Sequence, residues 1–490
     1  MNIKAIFNVI GILLVLLSGL LVLPLGISLA TNNPPLADYM NETQAFFLTL
    51  IASLGCGLAL WRFLPSGFEK LRDREGFAIV AFSWIFVSLF GALPYWLTGG
   101  CTHFIDAFFE SMSGFTTTGA SILVDIEALP RGILFWRSMT QWIGGMGIIV
   151  LSLAIFPALG VGSTSLFRAE IPGGATVEKM QPRLRETAQI LWKTYVVLTC
   201  VEILLLKWAG MSLFDAVCHS FSTLSTGGFS PYNASVGNFD STFIESIIVL
   251  FMFFSGINFA LHHQLVLGNF RTVVNNREFR LYAALICIGT LLATWELIRT
   301  ATESSHQEAF RHAIFTVVSI NTTTGFITAD YDQWPGFIRI LLLGIMMVGG
   351  CSGSTSGSIK VIRYLILFKI AMRELYKLVH PRAIFHIKVG EKSITPEEQT
   401  NVIALTFMFT GLSALAYIIL SFMNVDLTTG VSASISTFSN TGPGLGTIGP
   451  TGNYADIPTP GKITLIATML MGRLEIYGVL LLLLPISWRK

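Results

Sequence analysis

The sequence predicts an all-α polytopic membrane protein, in which two N-terminal helices precede four repeats of helix, re-entrant loop and helix. The first observation is composition: 52% of the 490 residues are apolar and 12% are charged, whereas a soluble domain has roughly 25% charged residues. The second is that the charges avoid long apolar stretches, each wide enough for a span of about 20 residues. The third is a short Ser/Thr-rich motif that occurs four times.

The apolar stretches predict ten spans. They lie at residues 6–29, 44–64, 77–97, 133–158, 187–208, 241–267, 279–298, 337–372, 401–422 and 463–486. With the N-terminus inside, most Lys and Arg residues fall in inner segments and mostly acidic residues fall outside, which is the positive-inside pattern. Both termini are therefore predicted to be cytoplasmic. The net charge of +2 reports this topology and gives no indication of a nucleic-acid partner.

The first span has two interpretations. Lys4, the apolar run and the small residues near Ala30 imitate a signal peptide, but the run exceeds the usual apolar length of about 7–15 residues. A retained helix is therefore the favoured prediction.

A Ser/Thr-rich stretch ending in glycine marks each of the four repeats. The glycines are 108, 98 and 117 residues apart. The stretches are Thr116-Thr117-Thr118-Gly119, Leu224-Ser225-Thr226-Gly227, Thr322-Thr323-Thr324-Gly325 and Ser439-Asn440-Thr441-Gly442. The predicted organisation is an N-terminal extension (1–75) followed by repeats at 76–180, 181–275, 276–392 and 393–490.

Short helical segments precede these stretches, at 106–113, 215–222, 309–318 and 431–438. They are too short to cross a bilayer, which suits half-helices that enter the membrane and turn back. The alternative is four ordinary extracellular turns. The recurrence at corresponding places in four helical units favours re-entrant loops.

Re-entrant backbone predicts an aqueous path, because unpaired polar groups at membrane depth are tolerated only against protein or water. Each glycine permits close backbone approach, and rings of backbone carbonyls can replace the hydration shell of K⁺. Half-helix C-terminal ends would add partial negative charge. The sixteen residues of the four stretches are therefore predicted to form a K⁺-channel-like selectivity filter around a central pore, with K⁺ bound by their carbonyls.

A run of small residues interrupts the predicted span 337–372 and ends shortly before a lysine. A lipid-facing helix is not stable with this composition, so the run must face protein or water. We expect a mobile gate; the alternative is a static stretch that lets helices pack closely. A nucleotide-binding loop is disfavoured because the spacing is wrong. The candidate gate residues are Gly349, Gly350, Gly353, Ser354, Thr355, Gly357 and Lys360.

Arg473 is a further gate candidate, because a charge inside the last predicted span usually faces an interior cavity. It would act as a positive barrier if it faces the pore, or as a latch if it binds an acid or loop carbonyls. A satisfied structural network is the third possibility. Glu475 lies two positions away, on another helix face, so direct pairing with Arg473 is not expected.

The motifs together resemble the Trk/Ktr/HKT superfamily of potassium transporters, and within it the TrkH/TrkG branch, over nearly the whole chain. The matching segments are Asp106-Ala-Phe-Phe-Glu-Ser, Thr116-Thr-Thr-Gly-Ala, Trp142-Ile-Gly-Gly-Met-Gly, Gly227-Gly-Phe-Ser, Gly349-Gly-Cys-Ser-Gly-Ser-Thr, Lys360-Val-Ile-Arg, Arg373-Glu-Leu, Lys377-Leu-Val-His-Pro, Gly442-Pro-Gly-Leu-Gly and Gly472-Arg-Leu-Glu.

The resemblance implies K⁺ uptake at the bacterial inner membrane, with Gly119, Gly227, Gly325 and Gly442 at the filter and 349–358 with Arg473 at the gate. It also implies a homodimer on a cytosolic tetrameric ring of RCK-type, TrkA-like regulatory subunits, docked on inner loops such as 360–392. A nucleotide, ATP/ADP or NAD(H), is expected on that partner only, and no covalently bound cofactor is expected on this chain.

Two other function classes are alternatives to a K⁺-selective pore. A secondary carrier coupling K⁺ or another solute to H⁺ or Na⁺ would also use broken helices, although usually in paired repeats. An enzyme would need a convergent nucleophile, base or metal set. The sequence contains no such motif, so no enzymatic activity is predicted.

Overall fold

The structure is a computed structural model that describes residues 1–31, 34–36, 39–64, 73–147, 181–383, 385–390 and 392–488. These residues are mostly helical, and their one sheet pairs β1 (Lys388–Val389) with β2 (Lys392–Ser393) in antiparallel fashion. The predicted all-α class is confirmed. The end of the predicted span 133–158 and the repeat boundary at residue 180 lie outside the described residues.

The N-terminal extension consists of α1 (Ile3–Leu20), α2 (Val22–Thr31) and α3 (Glu42–Phe63). Two glycines bring α1 and α3 into backbone contact. A Cβ on Gly11 would lie 2.7 Å from the Gly57 carbonyl oxygen, and a Cβ on Gly57 would lie 2.8 Å from the Gly11 carbonyl oxygen. Small residues at such crossings allow the close helix packing typical of membrane proteins.

Each repeat opens with a long helix and continues with a shorter half-helix. The long helices are α4 (Asp73–Leu97), α7 (Gln181–Trp208), α12 (Arg277–Arg299) and α16 (Pro396–Ser421). The half-helices are α5 (Phe104–Phe115), α8 (Leu213–Leu224), α13 (His306–Asn321) and α17 (Leu427–Ser439). Three half-helices begin at a side-chain N-cap, which satisfies amides of the first turn; the caps are Ser212, Ser305 and Asp426.

The second helix of each repeat is short or broken. These segments are α6 (Arg131–Gly145), α9 (Thr242–Ser255) with α10 (Phe259–Val266), α14 (Gly336–Met346) with α15 (Val361–Val379), and α18 (Thr459–Arg473) with α19 (Tyr477–Leu483). A short α11 (Phe270–Asn275) follows α10, and α20 (Pro485–Trp488) ends the described chain. Three short 3₁₀ helices lie in the connections at Ser235–Phe239, Tyr331–Gln333 and Gly446–Ile448.

The predicted spans 241–267 and 463–486 are therefore each interrupted by a break. Between α9 and α10 the chain bends by 105°, next to Gly256 and Asn258. Between α18 and α19, Glu475 and Ile476 both adopt left-handed backbone, with φ of 50° and 67°. The apolar composition of these segments does not predict the breaks, because the residues at the breaks face other protein segments rather than lipid. Among the described residues, six helices are long and apolar enough to cross a membrane, or seven if the bent pair forms one span.

The four repeats close into a ring. Each half-helix packs against the helices of its own repeat and against the second helix of the preceding repeat. Thus α8 contacts α6, α13 contacts α9, α17 contacts α14, and α5 contacts α18 of the last repeat. The loops that follow the half-helices are consequently brought to one central place.

Candidate functional site

Four equivalent loops follow the half-helices, and backbone geometry sets their alignment. The second residue of each loop has left-handed backbone, with φ of 53°, 55°, 58° and 54°. The amide of the third residue donates to a serine carbonyl in the half-helix, at 2.8–2.9 Å in all four repeats. We number the loops in chain order. Loops 1 to 4 are 116–119, 225–228, 322–325 and 439–442.

This alignment corrects the sequence prediction for loop 2 by one residue. Gly228, with φ of 79°, is the equivalent of Gly119 at 77°, Gly325 at 80° and Gly442 at 97°. Gly227 occupies the third position, and Leu224 is the last residue of α8. The sequence does contain the right signal, since a serine three residues before each loop is common to all repeats. The four are Ser113, Ser222, Ser319 and Ser436.

The four loops touch one another in a closed ring. A Cβ on Gly119 would lie 2.1 Å from the Gly227 carbonyl oxygen, and one on Gly228 would lie 2.0 Å from that of Thr324. A Cβ on Gly325 would lie 2.2 Å from the carbonyl oxygen of Thr441, and one on Gly442 would lie 2.6 Å from that of Thr118. Each fourth position must therefore be glycine, because a side chain there would collide with the neighbouring loop.

The loops carry carbonyl oxygens without a protein donor. None of the hydrogen bonds of the described residues ends on the carbonyl of a left-handed residue; these residues are Thr117, Thr226, Thr323 and Asn440. Threonine rarely adopts this backbone, and such strain costs on the order of 1–3 kcal/mol per residue. Strain of this kind marks functional segments, and unpaired carbonyls arranged in a ring can replace the water around a cation.

Pairs of threonine hydroxyl groups stabilise loops 1 and 3. The Thr116 and Thr118 hydroxyls are 2.8 Å apart in loop 1, and those of Thr322 and Thr324 are 2.8 Å apart in loop 3. The Asn440 side-chain amide donates to the Thr118 hydroxyl at 2.8 Å and so joins loop 4 to loop 1. The half-helices end beside the ring, and each end contributes about half a negative charge.

Replacing Gly325 by alanine should abolish discrimination between K⁺ and Na⁺. The new Cβ would have to displace the Thr441 carbonyl, 2.2 Å away, in a backbone that L-residues rarely adopt. Gly336→Ala is the matched control, because nothing lies within 4 Å of a Cβ at that helical position. The measurement is the K⁺/Na⁺ permeability ratio in proteoliposomes. An unchanged ratio in Gly325→Ala, or an equal loss in Gly336→Ala, would contradict the expectation.

The small-residue segment (349–358) lies directly beneath the ring. The Thr355 hydroxyl donates to the carbonyl of Leu224, just before loop 2, at 2.9 Å. The Gly357 amide donates to the hydroxyl of Thr323 in loop 3 at 2.7 Å. A Cβ on Gly357 would lie 2.2 Å from the Ser439 carbonyl oxygen of loop 4. The segment therefore contacts loops 3 and 4 and the residue before loop 2, and it covers the ring on the side predicted to be inner.

Backbone hydrogen bonds hold both ends of this segment. Gly349 donates to Ile359 at 3.0 Å and Val361 donates to Gly350 at 3.2 Å. The Cys351 amide donates to the Gly256 carbonyl at 2.8 Å, at the break of the second repeat. Lys360 donates through Nζ to the Ser356 carbonyl. All the predicted gate residues thus lie in one connected structure.

Arg473 joins this segment to the first loop. Its guanidinium donates to the Thr355 carbonyl at 3.0 Å and to the Thr117 hydroxyl at 3.2 Å. It also donates to the carbonyls of Gly144 and Gly145, at 2.7 and 3.0 Å. These contacts fit both a latch and a satisfied structural network, two of the alternatives given for this residue. Glu475 pairs with Arg363 instead.

A cavity of about 910 Å³ opens beneath the small-residue segment. Its walls include this segment, Asn258, Arg473 and the Arg363–Glu475 pair. Glu278 also faces it and accepts from the Ser352 amide at 2.6 Å. These contacts place the segment between this cavity and the ring.

A buried ion pair stands behind the ring and was not expected from the sequence. Arg137 and Glu110 are 2.9 Å apart, with side chains 1% and 0% exposed. Arg137 also donates to the Ser230 carbonyl at 2.9 Å and lies 4.2 Å from the Phe229 ring centre. Glu110 accepts from the Ile122 amide at 2.9 Å. The pair therefore fixes the chain that follows loops 1 and 2.

The fold and the site define a class: polytopic membrane proteins in which four re-entrant loops surround a common centre. The comparisons with known proteins give the family. The TrkH family model, described as a cation transport protein, matches residues 40–488. The chain therefore belongs to the TrkH family.

Similar proteins cover the whole chain. The Trk system potassium uptake protein TrkH of Salmonella typhimurium is 42% identical over the full length of both chains. TrkG of Escherichia coli K12 is 36% identical over 91% of this chain and 92% of its own. The crystal structure of the potassium transporter TrkH from Vibrio parahaemolyticus has a TM-score of 0.88, with 37% identity and full coverage of both chains.

Proposed function

We propose that this protein carries K⁺ into the cell through a selective, channel-like pore. The observation that supports this most strongly is the closed ring of four loops, each with a left-handed residue whose carbonyl has no protein donor. Such carbonyls compensate an ion for its lost hydration. The names of the similar proteins support K⁺ as the ion. The chain carries out transport and is not an enzyme.

The filter consists of loops 1 to 4, with Gly228 in place of Leu224 of the original prediction. K⁺ is dehydrated by carbonyls in the ring and is attracted by the half-helix ends. Inward movement is driven by the membrane potential, which contributes about 2.3 kcal/mol per charge for each 100 mV. Four loops around one centre favour this pore over a carrier, whose sites usually lie between paired repeats.

The small-residue segment (349–358), Lys360 and Arg473 form the gate. The pore conducts when the segment leaves the ring and the Arg473 contacts break. A cytosolic, nucleotide-binding RCK-type ring of four subunits controls this movement through the basic inner surface at 360–392. The nucleotide, ATP/ADP or NAD(H), binds that partner, and the transport protein itself is a homodimer.

The protein lies in the bacterial inner membrane, with both termini in the cytoplasm. The basic inner segments support this orientation. The repeats occupy 76–180, 181–275, 276–392 and 393–490, after the extension at 1–75. This division rests on the recurrence of long helix, half-helix and second helix in the described residues.

Ion uptake in proteoliposomes tests the proposed function. We expect an outward K⁺ gradient to drive ⁸⁶Rb⁺ accumulation in the liposomes, with external K⁺ competing strongly with ⁸⁶Rb⁺ and Na⁺ competing weakly. Empty liposomes and heat-treated protein are the controls. Equal competition by Na⁺, or no accumulation in both the wild type and Arg473→Ala, would contradict the proposal.

A further inference from the structure

Loop 2 departs from the other three at its third position. Loops 1, 3 and 4 have threonine there, whereas loop 2 has Gly227. In loops 1 and 3 the threonine hydroxyl pairs with that of the first residue at 2.8 Å, which braces the strained second residue. Gly227 has no hydroxyl, so loop 2 lacks this brace.

The side chain of Gln141, on α6 of the preceding repeat, occupies the space that a side chain at position 227 would need. A Cβ on Gly227 would lie 2.4 Å from Gln141 Cδ. Gln141 Nε2 donates to the Gly227 carbonyl at 2.7 Å, and its Oε1 accepts from the Phe229 amide at 3.0 Å. The side chain is 0% exposed. One amide therefore holds both sides of the glycine pair Gly227-Gly228.

We propose that Gln141 is a positioning residue of the ion filter, and that Gln141 and Gly227 together replace the threonine brace of loops 1 and 3. This inference rests on the proposed function of the ring. Because Gln141 bonds the Gly227 carbonyl and the Phe229 amide, it fixes the backbone that follows Thr226 and so sets the orientation of the Thr226 carbonyl in the ring. Ion preference depends on the number and field strength of such ligands.

Gln141 and Gly227 are far apart in the sequence, so no local sequence pattern predicts their contact. Gln141 lies in a second helix and Gly227 in the loop of the next repeat, 86 residues away. The structure brings them together because α8 packs against α6. The same contact makes Gln141 one of the links between repeats 1 and 2 at the ring.

The test uses Gln141→Leu, Gly227→Thr and the double variant Gln141→Ala/Gly227→Thr in proteoliposomes, read as K⁺/Na⁺ permeability ratios. Gln141→Leu keeps most of the side-chain volume but leaves the Gly227 carbonyl and the Phe229 amide unbonded. We expect its ratio to fall at least about fivefold. Gly227→Thr alone should also lower the permeability ratio, because its Cβ would collide with the side chain of Gln141. The double variant should recover most of the ratio, since Gly227 does not have positive φ.

Thr199→Val is the matched control, because it removes the 3.2 Å hydrogen bond of the neighbouring Trp142 without touching a loop. A retained ratio in Gln141→Leu would overturn the inference, as would a double variant no better than Gly227→Thr. If Gln141→Leu fails to fold, the double variant still tests the inference. Its K⁺/Na⁺ permeability ratio can exceed that of Gly227→Thr only if residues 141 and 227 act together. Absence of K⁺ preference in the wild type would instead contradict the proposed function, so the two failures are distinguishable.

Discussion

Replacing Arg473 by alanine should raise K⁺ flux through the isolated protein at least about tenfold. The Arg473 guanidinium donates one hydrogen bond to Thr355 in the small-residue segment and one to Thr117 in loop 1. Two more, to the carbonyls of Gly144 and Gly145, anchor the guanidinium on α6. A hydrogen bond from a charged group contributes about 1.5–3 kcal/mol. If the closed state loses about 1.4 kcal/mol of stability, the population of the open state rises about tenfold. The substitution also removes a positive charge next to the ion path.

The control lies on the same helix. Lys462, near the start of α18, pairs with Asp106 at 2.8 Å and does not touch the gate. Lys462→Ala removes a cation of equal charge and should leave the flux within about twofold, since Lys462 lies at the opposite end of α18 from Arg473. Flux is followed as ⁸⁶Rb⁺ uptake in proteoliposomes. Equal flux in Arg473→Ala and the wild type would show that the Arg473 contacts do not hold the gate.

The second large effect is on stability. Replacing Arg137 by methionine leaves Glu110 as an unpaired charge in a fully buried site. Breaking a buried pair in this way costs about 3–5 kcal/mol, a large share of the net stability of a typical domain. We therefore expect a strongly lowered melting temperature in detergent, with aggregation detected by size-exclusion chromatography. Loops 1 and 2 should be disturbed first, because Arg137 and Glu110 bind the chain beyond both.

Arg299→Met provides the comparison for that measurement. Arg299 also pairs with a glutamate, Glu296, at 2.6 Å, but its side chain is 58% exposed. Because solvent screens the exposed guanidinium, loss of this pair should change stability far less than loss of the fully buried Arg137–Glu110 pair. A melting temperature of Arg137→Met as high as that of Arg299→Met would contradict the stabilising role of the buried pair.

The sequence predicted the elements that repeat. Four half-helices and four loops were located because the same pattern occurs four times, and composition identified the membrane class. The one-residue error in loop 2 arose from anchoring on the first glycine of Gly227-Gly228. Only the left-handed backbone of Thr226 and the positive φ of Gly228 reveal the correct alignment.

Breaks and long-range pairs were harder to foresee. A helix that bends at Gly256 or unwinds at Glu475 has the same apolar composition as an unbroken span, because other segments of the protein satisfy its free backbone groups. The Arg137–Glu110 and Gln141–Gly227 contacts depend on how helices pack. Their residues are 27 and 86 positions apart, and no local pattern joins them.

The most direct measurement is anomalous X-ray diffraction from crystals of this protein grown in Rb⁺ and in Na⁺. Carbonyl coordination in the ring predicts Rb⁺ peaks at its centre, level with the carbonyl oxygens of Thr117, Thr226, Thr323 and Asn440, and their loss when K⁺ competes. A ring without anomalous density, with Rb⁺ bound elsewhere along the chain, would contradict the assignment of these loops as the filter.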